Sequence, residues 1–176
     1  MTDNKTDGDA SQMMTLRQAY TVAHLFLNDY WRLKPDDDVT DVLSQMSLLA
    51  DPVDDSLDAA GWYRWITVLR RMSDGPDLAQ HRDQPVMSEA QTWNATRLYL
   101  DDYYEEGKGV DAGVRALIDL LGATPAEGKV GDTVWDQAAT WRRSREEVAR
   151  DTSGNLAAAV IGGRLYTKRG KGRIPL

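Results

Sequence analysis

The chain has 176 residues with 21 Lys plus Arg, 28 Asp plus Glu, two His and no Cys, for a formal charge of −7. That length fits one medium domain or two small ones, and a 41% hydrophobic fraction is enough to build a core. Without cysteine there is no disulfide framework, thiolate zinc site or cysteine nucleophile; two imidazoles exclude a three-histidine metal site; and no run approaches the roughly 18 apolar residues of a membrane span.

Residues 1–13 are polar and acidic and lack the basic and apolar regions of a signal peptide, which predicts a disordered acidic N-terminus and a cytoplasmic protein. A first helical unit is predicted over 14–73. Leu16, Tyr20, Ala23, Leu27 and Tyr30 follow a 4-3-4-3 spacing that lays one apolar stripe along a helix. The Asp36-Asp37-Asp38 run can cap a short second helix carrying Val39, Val42, Leu43, Met46 and Leu49. Trp62, Ile66 and Leu69 mark a third, with Ser56 or Asp58 as its cap.

Residues 74–86 have linker chemistry, with two Pro, one Gly and few aliphatics. A second helical unit follows over 87–150. Trp93, Thr96, Leu100 and Tyr103 form its first stripe, and Val114, Leu117, Ile118 and Leu121 the second, stopped by Gly122. Thr133-x-x-Asp136 reads as a capping box ahead of a third helix bearing Trp135 and Ala139. Little of this alternates with period two, so the predicted fold class is all-α.

The two units resemble each other. At a constant offset of 73, residues 14–31 and 87–104 share Met14/Met87, Gln18/Gln91, Leu25/Leu98, Leu27/Leu100, Asp29/Asp102 and Tyr30/Tyr103. The same offset aligns Trp62/Trp135, Thr67/Thr140 and Arg70/Arg143, and one gap brings Leu43 onto Leu117. A shared offset across separate blocks, two rare Trp included, predicts an internal duplication. Units of about 60 residues bury too little surface to stand alone, so the two are expected to pack together.

Catalytic and metal chemistry find little support. Asp36, Asp37, Asp38 and Asp41, with Asp54 and Asp55 beyond, lack the glycine and terminal glutamate of a calcium loop. They read as helix caps on a solvated acidic face and as a docking surface for a basic partner. Asp101, Asp102, Glu105 and Glu106 carry no mark of the apolar pocket that general acid catalysis needs. His24 flanks an apolar stripe, His81 lies in the linker, and no serine or threonine has a triad to join. No enzyme, metal or cofactor is expected.

Trp and Tyr dominate the aromatics, and those at repeat-equivalent places read as core. Tyr63 and Trp65 stand opposite Asp136 and Ala138 and are therefore the aromatic candidates for a binding surface. Residues 151–176 form a basic tail with Arg164, Lys168, Arg169, Lys171 and Arg173 around Tyr166, a net +4 beside a body of −11. It suits contact with the acidic body, a partner or nucleic acid. Self-association is left open.

The opening TLRQAYTVAHLFLNDYW, the acidic run before VLSQMSLL and the helix DAAGWYRWITVL resemble small all-helical bacterial proteins with a TL-x-Q-A-Y start. Some of these are similar to immunity proteins of contact-dependent inhibition and other polymorphic toxin systems. The resemblance covers about residues 14–72 and, more faintly, 87–145; unit two departs from it by placing Ala138 at the second Trp. It implies a small cytosolic binding protein, and together with the acidic body and the candidate surface aromatics it suits one that neutralises a basic toxin or effector by stoichiometric binding. The alternative is a nucleic-acid-associated helical subunit of a defence or phage complex using the tail.

Overall fold

The computed structural model describes residues 13–47, 60–72, 81 and 84–151. These form six helices and one two-stranded antiparallel hairpin: α1 (Leu16–Leu33), α2 (Asp37–Ser47), α3 (Ala60–Arg71), α4 (Glu89–Glu106), α5 (Ala112–Leu120), β1 (Glu127–Val130), β2 (Thr133–Asp136) and α6 (Gln137–Arg150). None of the helices is long and apolar enough to cross a membrane.

The two long helices begin alike. Thr15 Oγ1 accepts from the Gln18 N–H at 3.2 Å while Gln18 Oε1 accepts from the Thr15 N–H at 2.9 Å. Ser88 and Gln91 form the same reciprocal box, at 3.2 and 2.7 Å. Each box satisfies two helix-end groups that the helix itself leaves unpaired. Both helices then run 18 residues. One residue upstream of the caps, Met14 and Met87 pair as an isolated antiparallel bridge.

α1 is the central helix, buried on nearly every side by α6, α2 and α4. The third helices cross over: α6 packs on α1, and α3 packs on α4 and α2. Matching aromatic contacts recur in the two halves. The Tyr20 ring meets Trp65 edge-on at 5.5 Å, and Trp93 meets Trp141 the same way at 4.9 Å. The Tyr20 hydroxyl donates to the Met46 carbonyl at 2.9 Å, and the Trp93 indole N–H to the Gly122 carbonyl at 3.1 Å. Such edge-to-face pairs add to the large area each ring buries.

These contacts correct the register expected downstream. Trp65 and Trp141, 76 residues apart, make similar edge-on contacts; Trp62 and Trp135 lie in unlike elements, Trp62 in α3 and Trp135 in β2. Part of the shift comes from the connection between helices, which spans residues 34–36 in one half and 107–111 in the other.

The hairpin is a second correction. Thr133–Asp136 is a strand, paired with Glu127–Val130 so that Val130 faces Thr133 and Gly128 faces Trp135. Gly131, with φ +61°, opens the two-residue turn in a conformation that glycine adopts without a Cβ penalty. Val130 and Trp135 are the buried residues of the pair. Asp136 alone caps α6, its Oδ1 accepting from the Ala139 N–H at 2.9 Å.

Candidate functional site

The acidic run divides into two anchored and two exposed carboxylates. Asp36 Oδ1 accepts from the Asp38 and Val39 N–H groups at 3.0 and 3.4 Å and so caps α2. Asp38 Oδ2 reaches across to the first turn of α5, accepting from the Gly113 N–H at 2.8 Å. Both are half-buried, whereas Asp37 and Asp41 are exposed on the α2 surface. The negative charge of Asp37 and Asp38 near the helix start is itself stabilising.

The acidic face continues from α2 onto the end of α4. Tyr103 ionises above its ordinary range, first because the ring is partly buried and next because Asp111 and Asp41 surround it with negative charge. Asp101, Asp102, Glu105 and Glu106 crowd the last turns of α4, where no basic residue of the helix offsets the negative end of its dipole.

The offset comes from α3. Arg64 is 9% exposed. Its guanidinium carbon stands 5.8 Å from the Tyr99 ring centre and 5.0 Å from that of Tyr103. It pairs with Glu106, and its Nε lies 3.5 Å from Asp102, which also pairs with Arg71. Tyr63, Arg64, Thr67 and Arg71 on one side and Asp102, Glu105 and Glu106 on the other line a groove of about 500 Å³.

A counterpart of about 480 Å³ lies between α1 and α6, lined among others by Asp29, Leu33, Val134, Trp135 and Arg143. There the Trp135 ring lies 4.9 Å from Phe26 and 5.3 Å from Tyr30. Phe26 and Tyr30 stand 73 residues before Tyr99 and Tyr103; an indole lies against the first pair and a guanidinium against the second. Asp29 likewise faces Arg143 at 3.7 Å as Asp102 faces Arg64 and Arg71.

Of the residues expected to bind a partner, Asp37, Asp41 and Tyr63 present themselves at the surface, Tyr63 with 60% exposure. Trp65 does not: it is 0% exposed, packed against Tyr20 and Tyr99. The helical spacing explains the difference, because Trp65 lies four residues before Leu69 on the core stripe and Tyr63 on the opposite side. Asp54, Asp55, and the tail residues Arg164, Tyr166, Lys168, Arg169, Lys171 and Arg173 lie outside the described residues. Arg64 was not among the residues that the sequence singled out. His24 is buried in α1. Among the described residues no group of acidic or histidine side chains is arranged to hold a metal ion.

No protein-family model matches the chain, and neither a curated protein nor a solved structure matches it.

Proposed function

We propose that the chain is a cytoplasmic, non-enzymatic protein-binding module that neutralises a basic toxin or effector by stoichiometric binding, as immunity proteins do. The observation that carries this reading is the division within the acidic run. Asp36 and Asp38 are spent on capping and on the α2–α5 contact, while Asp37 and Asp41 stay exposed on a face that continues past Asp111 to the end of α4. A surface of one sign raises encounter rates with a partner of the other sign, and salt weakens it.

The proposal includes the two-unit architecture. Matching capping boxes, the Met14–Met87 bridge, the two edge-on aromatic pairs and the crossed third helices support a pair of three-helix units about a pseudo-twofold axis. The axis passes between Met14 and Met87.

Isolation of the tagged full chain from its host, followed by association kinetics with the recovered partner, tests the function. A basic protein is expected at one-to-one stoichiometry. Asn at both Asp37 and Asp41 should slow association several-fold at low salt, with little change at high salt. Nuclease-sensitive nucleic acid in place of a protein would instead assign binding to the basic tail.

A further inference from the structure

We propose that the groove between α3 and α4 is the docking site for an extended, arginine- or lysine-bearing segment of a basic protein partner. This rests on the protein-binding reading above and names the surface that carries it.

The charge of the groove is the first argument. Carboxylates at a helix C-terminus are disfavoured by the dipole, and cations there are favoured. The end of α4 nonetheless carries Asp102, Glu105 and Glu106 on the groove, against two guanidinia from α3. Arg64 and Arg71 occupy Asp102 and Glu106, while Glu105 is exposed and has no ion pair among the described residues. A cation supplied from outside would complete the set.

Arg64 is the second argument. It lines the groove, is nine-tenths buried, and its Nη1 has no hydrogen-bond partner among the described residues. A buried guanidinium N–H is costly to leave unmet. Guanidinium and carboxylates side by side match a peptide: a basic side chain meets Glu105, and displacement of the exposed Glu106 carboxylate opens the Arg64 N–H to a main-chain carbonyl.

The third argument is the contrast between the grooves. Between α1 and α6 the hairpin brings Trp135 over Phe26 and Tyr30 and sets Val134 on the rim. Between α3 and α4 no strand pair among the described residues does this, and Tyr63 stands 60% exposed on the rim. Its ring lines the same groove as Glu105 and offers a cation–π platform there. Two matching scaffolds thus differ at the place where one presents an open aromatic–acidic rim.

The test titrates the full chain with a blocked peptide of alternating arginine and glycine, followed by backbone amide NMR, beside peptides with glutamate or serine in place of arginine. Shifts are expected at Tyr63, Arg64, Thr67, Glu105 and Glu106 with the arginine peptide alone. Glu105→Gln and Tyr63→Ala, both at exposed positions, should each weaken binding about threefold and together about tenfold, with an otherwise unchanged spectrum. Arginine-peptide shifts confined to the surroundings of Asp37 and Asp41 would overturn the groove and leave the protein-binding reading standing. Equal affinity for all three peptides, or none, would also overturn it. The wider reading is then decided separately by which molecule the full chain carries out of its host.

Discussion

Met14 and Met87 join the two long helices through their main chains: the Met14 N–H donates to the Met87 carbonyl at 2.8 Å, and the Met87 N–H returns to the Met14 carbonyl at 2.9 Å. Each precedes the capping residue of its helix, and both are buried. The bridge therefore fixes the starts of α1 and α4 relative to each other, where a lost partner cannot be replaced by water. Proline at either position removes one donor and strands a buried carbonyl. Met14→Pro and Met87→Pro should each cost about 1–3 kcal/mol. The double variant should cost less than the sum, because both act on one bridge. Met14→Leu keeps the main chain and should cost under about 1.5 kcal/mol. Urea denaturation of the four chains measures this; proline variants as stable as Met14→Leu would mean the bridge contributes nothing.

Tyr63 and Trp65 lie two residues apart and should behave oppositely. Trp65 is fully buried against Tyr20 and Tyr99, so Trp65→Ala opens a large cavity and should cost about 3–5 kcal/mol. Tyr63→Ala removes an exposed ring and should stay within about 0.5 kcal/mol of the parent. Thermal unfolding of the two variants checks the pair. A mild Trp65→Ala would contradict its place in the core.

The buried tyrosines predict alkaline unfolding. Burial, the largest cause for both, holds the Tyr20 and Tyr99 phenols well above their ordinary value of 10.0. Below pH 10 both states keep these protons and the stability is intact. Above pH 10 the unfolded chain ionises first and binds fewer protons than the folded one, so stability falls as pH rises. Denaturant midpoints should therefore be level from neutrality to about pH 9 and drop beyond pH 10, with tyrosinate absorbance rising in step with unfolding. Full ionisation of Tyr20 and Tyr99 in a chain that stays folded would contradict their burial.

What the sequence made legible follows the strength of each local signal. The stripes of α1 and α4 were plain, because apolar spacing repeats at every turn, whereas their S/T-x-x-Q capping boxes showed only as repeat matches. The hairpin was missed although Val130-Gly-Asp-Thr133 has a turn signature, since four-residue strands carry too short an alternation to outweigh a Thr-x-x-Asp cap pattern. Trp62 and Trp135 matched in sequence but not in place, because beyond the two 18-residue helices the connections and the shorter helices differ in length. Arg64 was illegible for another reason: its burial depends on Tyr99, Asp102 and Tyr103, which approach it only when α3 crosses onto α4.

Gly113 and Asp36 supply the last test, of the contact that joins the two halves at α2 and α5. A Cβ added at Gly113 would lie 2.0 Å from Asp36 Oδ1, closer than any real contact allows. A carboxylate at the end of a side chain could swing away at little cost, but this one caps α2 through Asp38 and Val39. Gly113→Ala must therefore crowd the interface, break the cap, or both, for about 2–4 kcal/mol in total. Asp36→Ala alone loses the cap, about 1 kcal/mol. In that background the obstacle is gone, and Gly113→Ala should be neutral or slightly stabilising, since alanine is the better helix former. The double-mutant cycle should then show a coupling of at least about 1 kcal/mol in favour of the pair. If Gly113→Ala costs the same with and without Asp36, the close packing of α5 on the α2 cap is not what makes glycine necessary there.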